Sequence, residues 1–332
     1  MKIYSSYFGN RILNHVAKDM RQLVDDGFTG VVHTFSENDL RFYRDSFIDI
    51  VKISRDAGLD VDLDPWGVGG VFGGEAFSAW IAENPDEMQI SVNGTPKSLA
   101  CLNSKKFREF ISEWADAAHK TGADGLFWDE PHLYIPKKND PDTSWTCACK
   151  TCKSLFSDKY GFDFPETRTD DVVQFHAWTL IDFLTDMLTL GKKAGFRNTV
   201  CLLPKEFAQN DPLEWSEIAS LENVDVISTD PYWFIGSRDV NQFVKSYSGK
   251  IKELADKNGI DAQIWIQGFR VPSGKENEIA TAIEIAVNEG INNLAIWGFN
   301  ACSHMSYLKC DNPELVWETA VESFRNCKNQ SE

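Results

Sequence analysis

Positive charge is scarce in this 332-residue chain: 33 Lys and Arg stand against 50 Asp and Glu, a formal net charge of −17. That deficit argues against nucleic acid and anionic membranes as partners, because affinity for either grows from clustered Lys and Arg. Neutral or cationic ligands suit such a field better. No segment reaches the ~20 apolar residues of a membrane-spanning helix. The opening Met1-Lys2-Ile3-Tyr4-Ser5-Ser6-Tyr7 lacks an apolar run of signal-peptide length, so a cytoplasmic protein is expected. Low-complexity tracts and interdomain linkers are missing too, and residues 1–332 read as one domain.

What is present is ordinary globular material, 42% hydrophobic and 25% charged, enough for a large core. The length exceeds the usual single-domain size, yet α/β barrels routinely use roughly 250 residues or more as one unit. Eight cysteines in a reducing compartment point to metal ligation or burial before disulfides.

Ile12, Val16, Met20, Leu23 and Val24 recur at helical spacing, Asp26-Gly27 ends that helix, and residues 28–33 read as a buried strand. The unit repeats. Gly58 precedes a strand at 59–64, Gly122 one at 123–129, Gly195 one at 199–204, Gly259 one at 262–267 and Gly290 one at 293–297. Glycine suits the left-handed position that ends a helix. Residues 224–229 form a further strand, with Glu222-Asn223 in the glycine's place. Adding Lys2 to Tyr7 gives eight apolar strands, each followed by a helical stretch. This is the pattern of an α/β protein, and eight units favour closure into a (β/α)8 (TIM) barrel over a doubly wound open sheet. Two long insertions, about 65–103 after the third strand and 132–171 after the fourth, fall on the face where barrel enzymes build their sites.

Polar and aromatic residues gather at the strand ends: Asp62 and Asp64, Asp129 and Glu130, Lys205 and Glu206, Asp230 with Tyr232 and Trp233, Gln267, and Trp297 with Asn300. In a barrel these converge on one mouth. Two carboxyl groups there suit glycosidic bond cleavage, one protonating the leaving oxygen and the other acting as nucleophile or activating water. Aromatic rings such as Trp66, Tyr232, Trp233 and Trp297 suit sugar faces. Each carboxylate also has a competing reading as a helix cap. Asp129-Glu130 is the foremost candidate pair, since it follows a continuous apolar run and is locked by Pro131. Asp230, Glu206 and Asp64 follow, and His132 and His304 are candidates to line the mouth.

Cys147, Cys149 and Cys152 fall within six residues of the second insertion. Thiolates so spaced suit tetrahedral zinc, and Cys101 in the other insertion is the natural fourth ligand. Such an all-sulfur site is structural, and no organic cofactor is expected. Cys201 sits inside a strand and reads as core.

The run Cys147-Ala148-Cys149-Lys150-Thr151-Cys152, followed by Phe156 and Tyr160-Gly161, resembles the zinc loop of family 42 glycoside hydrolases, the β-galactosidase-like barrels. In that clan the fourth strand ends in Asn-Glu, so the resemblance implies an acid/base role for Glu130. Asp129 departs from the pattern by standing for Asn. The clan's nucleophilic Glu on strand seven is replaced by Gln267, and an amide cannot form a glycosyl ester. The pair Asp129 and Asp230 is similar instead to retaining α-glycosidase barrels, whose nucleophilic Asp ends strand four and whose acid/base Asp ends strand six.

The expectation is therefore a glycoside hydrolase acting on a small oligosaccharide or glycoside. A sugar-binding inactive barrel, with Gln267 in the nucleophile's place, is one alternative. A metal-dependent barrel hydrolase or isomerase using His33, Asp62 or Asp64 is another. The family resemblance also implies a homo-oligomer.

Overall fold

The computed structural model describes residues 1–8, 10–74, 76–136, 140–208 and 212–331. Eight parallel strands close into a barrel: β1 (Lys2–Tyr7), β2 (Gly30–Thr34), β3 (Asp60–Asp64), β4 (Gly125–Asp129), β5 (Arg197–Leu202), β6 (Val226–Thr229), β7 (Asp261–Gln267) and β8 (Asn293–Trp297). Each strand pairs with its sequence neighbours, and β1 closes the ring against β8 through registers such as Tyr4 opposite Ala295. The helices pack outside, which makes this a single (β/α)8 barrel.

Local chemistry sets these boundaries. Before β4, the helix Lys105–Thr121 starts on Ser104, whose hydroxyl accepts from Phe107 N at 3.0 Å, and ends on Gly122 at φ +78°. The helix Asp170–Lys193 before β5 begins with Asp170 and Asp171 and ends with Lys192 and Lys193, charges that complement its dipole. Ahead of β6, Asn223 adopts φ +73° and does the work of the missing glycine. The helical stretch after β5 is the short helix Trp215–Ala219.

Strand side chains alternate between two cores. Outward residues such as Val31, Leu63, Trp128 and Ile266 join the shell packed against the helices. Inward residues such as Val32, Phe127, Trp265 and Ala295 fill the barrel itself. The lower end of the barrel is polar. Arg197 binds Asp60 at 2.8 Å and Asp62 at 2.6 Å, and Tyr4 donates its hydroxyl to Asp60. A side chain at Gly125 would put its Cβ 2.2 Å from Asp62 Oδ1, so glycine makes room for this pair.

Both insertions are folded and lie against each other. The first contains an antiparallel ribbon of Met88–Ile90 and Pro96–Ala100. The second docks on it through Val92 N to Trp145 O at 3.1 Å and Ala148 N to Ile90 O at 2.8 Å. Lys97, buried in the ribbon, binds Asp140 at 3.1 Å and lies 4.2 Å from the centre of the Tyr134 ring. No helix among the described residues is long and apolar enough to cross a membrane.

Candidate active site

Period-two alternation carries the site residues into the barrel mouth. On β4, Trp128 points outward and donates its indole N–H to Asn198 Oδ1 at 3.0 Å, while Phe127 and Asp129 point inward. Glu130 follows at φ +46°, a left-handed turn that keeps this side chain on the mouth as well. On β6, Ser228 points inward to Gln263 Oε1 at 3.1 Å, so Asp230, two residues on, points inward too. Asp129, Glu130 and Asp230 thereby line one cavity of about 740 Å³. Both side chains of the β4 pair face it, and neither is left on the shell side.

These carboxyl groups are not equivalent. Asp230 is 6% exposed and hydrogen-bonded to Glu130. Burial first, then the charge of Glu130 and of Asp129, holds its carboxyl well above the usual carboxylate range. Asp64 is fully buried, and neither carboxyl oxygen has a hydrogen-bond partner among the described residues. Burial, followed by the charges of Asp129 and Glu130, pushes it well up as well. Carboxyl groups this close together raise one another, and burial raises Asp64 and Asp230 further, so both shifts favour the protonated form. The Gly73 backbone closes over Asp129: Gly73 N donates to Asp129 O at 2.9 Å, and a Cβ at Gly73 would fall 2.4 Å from Asp129 Oδ2.

Aromatic rings form the walls. Trp297 stacks on Phe8 with centroids 5.2 Å apart, and Phe8 stacks in turn on Trp66 at 5.8 Å. His304 lies at the edge of this stack, 5.9 Å from Phe8. Trp265 meets Phe127 at 5.0 Å and Trp297 at 5.8 Å. Tyr232 sets its ring edge-on to Phe269 at 5.0 Å. At the rim, the Arg270 guanidinium sits 3.8 Å from the ring centre of Tyr307, which is 69% exposed.

Several lining residues went unread in the sequence. Phe127, Cys201 and Trp265 were legible from alternation on β4, β5 and β7; Cys201, read as core, belongs to the buried cluster inside the barrel and also borders the cavity. Phe269, Arg270 and Tyr307 sit on irregular loops and had no such signal.

Other expected residues lie elsewhere. Trp233 turns back into the shell and donates its indole N–H to Glu278 at 2.9 Å, because the chain enters a 3-10 turn immediately after Tyr232. Gln267 keeps the inward register but is fully buried. Its amide oxygen accepts from Phe234 N at 3.0 Å and its amide nitrogen donates to Phe269 O at 3.2 Å. Asn300 accepts from Gln22 at 2.9 Å, away from the cavity. Glu206, by contrast, does stand on the cavity wall, where it accepts from the Tyr247 hydroxyl. His132 faces a neighbouring recess, with its Nδ1 proton on Glu130 O at 2.6 Å.

The residues considered for an open metal site do not converge. His33 is in the outer shell bonded to Ser54 at 2.9 Å, where burial pushes its imidazole down to about 3. Asp62 lies two residues below the mouth, tied to Arg197, and burial pushes it up to about 7 against that ion pair.

The one group of three or more His, Cys, Asp or Glu side chains near enough to hold an ion, among the described residues, is Cys101, Cys147, Cys149 and Cys152. Their sulfurs all lie within 4.8 Å of one another, with Cys101 at 3.5 Å from both Cys149 and Cys152. Tetrahedral zinc with Zn–S bonds of about 2.3 Å needs sulfurs about 3.8 Å apart, which this cluster matches closely. Asn103 Nδ2 donates to Cys152 Sγ at 3.3 Å, a contact of the kind that orients metal ligands.

The sequence matches no family model and no curated protein. Its fold is similar to that of several solved structures. The catalytic domain of a beta-amylase from Paenibacillus polymyxa aligns with TM-score 0.67 and 11% identity, over 97% of this chain and 98% of that one. GH5_18 from Streptomyces cattleya, in complex with GlcNAc, aligns with TM-score 0.64 and 11% identity, over 100% and 81%. An endo-beta-1,4-mannanase from Thermotoga petrophila aligns with TM-score 0.60 and 11% identity, over 100% and 77%. The resemblance to family 42 is not among these likenesses. What this chain shares with those proteins is the (β/α)8 barrel in which such glycoside hydrolases are built.

Proposed function

We propose that the protein is a glycoside hydrolase that cleaves a small oligosaccharide or glycoside, with Asp129 as nucleophile and Asp230 as general acid and base. One observation carries this reading: carboxyl groups at the ends of β4 and β6 line the same aromatic-walled cavity, and the environment of one favours its protonated form. Two carboxyl groups driven to opposite protonation states are the working requirement of glycosidic cleavage.

In this mechanism the Asp129 carboxylate attacks the anomeric carbon while Asp230 gives its proton to the departing oxygen, leaving a glycosyl ester on Asp129. Asp230, now a carboxylate, takes a proton from water, whose oxygen attacks the anomeric carbon and returns Asp129 to its starting state. Glu130 holds Asp230 through their shared hydrogen bond. Trp265 and Trp297 present ring faces to the sugar, and Tyr232 its polar edge. A volume near 740 Å³ sits within the ~300–1,000 Å³ usual for small-molecule sites.

The assignment of Glu130 as acid/base has less support, because it needs a carboxylate on β7. The side chain there, Gln267, spends its amide on backbone groups. The same burial weakens the inactive-barrel reading, in which Gln267 faces a ligand.

The four-cysteine cluster we assign to a structural zinc, held by Cys101, Cys147, Cys149 and Cys152, which joins the two insertions and takes no part in bond cleavage.

The nucleophile assignment is tested with Asp129→Ala and an activated aryl glycoside in the presence of azide. Small anions entering the vacated space should restore turnover and yield a glycosyl azide. Failure of azide to restore turnover, with no azide product, rejects Asp129 as nucleophile.

A further inference from the structure

Beside the main cavity lies a smaller recess of about 220 Å³, and the two meet at Glu206 and Phe207, which line both. The insertion after β4 supplies most of its wall, with Ala208 and Pro212 beyond β5 on another side. The main cavity, at about 740 Å³, falls within the ~300–1,000 Å³ usual for whole small-molecule ligands, and the recess falls below that range. Its size and position make it an extension of the main cavity rather than a site of its own.

Internal bonds fix the walls of the recess. Gln89, buried in the ribbon of the first insertion, accepts from Tyr134 N at 3.0 Å and from the Thr146 hydroxyl at 2.5 Å, and its amide nitrogen donates to Ala100 O at 3.1 Å. The Trp145 ring lies 5.8 Å from Phe164 and 5.6 Å from His176, and the Phe207 ring lies 5.9 Å from Phe243. Two polar groups on these walls keep hydrogen-bonding capacity. Glu206 spends one carboxylate oxygen on the Tyr247 hydroxyl, and its other oxygen, Oε1, has no hydrogen-bond partner among the described residues. The indole N–H of Trp145 donates to no group among them either.

We propose that this recess receives a second sugar unit, the one flanking the scissile bond, and that Glu206 is a specificity-determining residue at the joint between the two units. The inference rests on the glycoside hydrolase reading and narrows its substrate to oligosaccharides of two or more units. A sugar ring has apolar faces and a hydroxyl edge, and the recess matches both. Tyr134, Trp145 and Phe207 offer ring surface to the faces. Glu206 Oε1 accepts a hydroxyl in a charge-assisted hydrogen bond, and the Trp145 indole donates to a sugar oxygen. Because Glu206 lines both cavities, one carboxylate contacts a substrate that bridges them. An aglycone without hydroxyl groups would leave both polar groups unpaired, which is how a site built for hydroxyls rejects a ligand lacking them.

Binding is measured by calorimetry on Asp129→Asn protein, which cleaves poorly and keeps the recess residues intact. The probes are the methyl glycosides of glucose, mannose and galactose, in both anomers, and neutral 1,4-linked disaccharides that carry the same units. For at least one pair the disaccharide should bind about tenfold or more tightly than the methyl glycoside. Ala208→Trp, which fills the recess, and Glu206→Ala, which removes its acceptor, should each bring that ratio close to one. Glu206→Gln, which keeps a carbonyl acceptor, should retain part of it. Melting temperatures check folding, and either of the first two variants decides the matter if the other fails to fold. Disaccharides that bind no more tightly than the methyl glycosides in every pair, or a ratio that survives these variants, overturn the proposal. Release of phenol from aryl glycosides by the unaltered protein is assayed in parallel. Its absence rejects the hydrolase reading without touching the binding ratio.

Discussion

The carboxyl groups of Glu130, just past β4, and Asp230, just past β6, are hydrogen-bonded to each other within the barrel mouth. Burial first, then the charge of Glu130, raises the Asp230 carboxyl and favours its protonated form. The acid of the proposed mechanism is thus charged with its proton before substrate arrives.

Activity should accordingly fall as pH rises through the raised value of Asp230, because the deprotonated form cannot assist the leaving oxygen. Asp230→Asn should lower kcat by about 10²–10⁴ on substrates with poor leaving groups, and less on activated aryl glycosides. It should also erase the alkaline limb of the pH–rate profile. Steady-state kinetics across pH 4–9 checks this, and an alkaline limb surviving in the variant contradicts it.

Gly73 offers a test of positioning alone. A methyl group there would lie 2.4 Å from Asp129 Oδ2 and push the carboxylate aside. Because displacements of about 1 Å can cost 10²-fold in rate, Gly73→Ala should reduce kcat by about that factor. The fold should tolerate it, with little change in melting temperature. Wild-type kcat in this variant argues against Asp129 as a reacting group.

Asp64 links the site to stability. Its carboxyl is raised in the folded protein, so the native state binds a proton that the unfolded chain releases once pH exceeds about 4. Its contribution is present in full below that pH and is lost as pH climbs toward the raised folded value. Asp64→Asn should flatten the fall in melting temperature between pH 4 and 8. An unchanged slope means that Asp64 does not retain its proton on folding.

For the cysteine cluster, elemental analysis should find one zinc per chain. Asn103→Ala, which removes the amide donating to Cys152, should weaken metal affinity about 10–100-fold. Cys147→Ser should lose the metal and lower the melting temperature. Purified protein free of zinc and indifferent to chelators would show that the cluster is simply buried thiols.

Much of the barrel was readable because its signals are local. Glycines at positive φ, such as Gly58, Gly122 and Gly259, punctuate the helix ends, and apolar runs mark the strands. The Asp129-Glu130 pair and the cysteine spacing were visible for the same reason. Asp62 and Asp64, two residues apart, differ by one barrel layer of roughly 6.6 Å, and only tertiary structure shows that Arg197 waits at the lower one. Trp233 looked equivalent to Tyr232, yet a 3-10 turn sends the two rings in different directions. Gln267 kept its expected register, but its burial depends on Phe234 and Phe269, which belong to the loops after β6 and β7.

The most direct test is release of phenol from a panel of aryl glycosides, α and β, by the wild-type protein beside Asp129→Asn and Asp230→Asn of equal thermal stability. The account predicts turnover of at least one glycoside by the wild type and a loss of about 10² or more in each variant. No turnover of any glycoside, or full turnover by either variant, would contradict it.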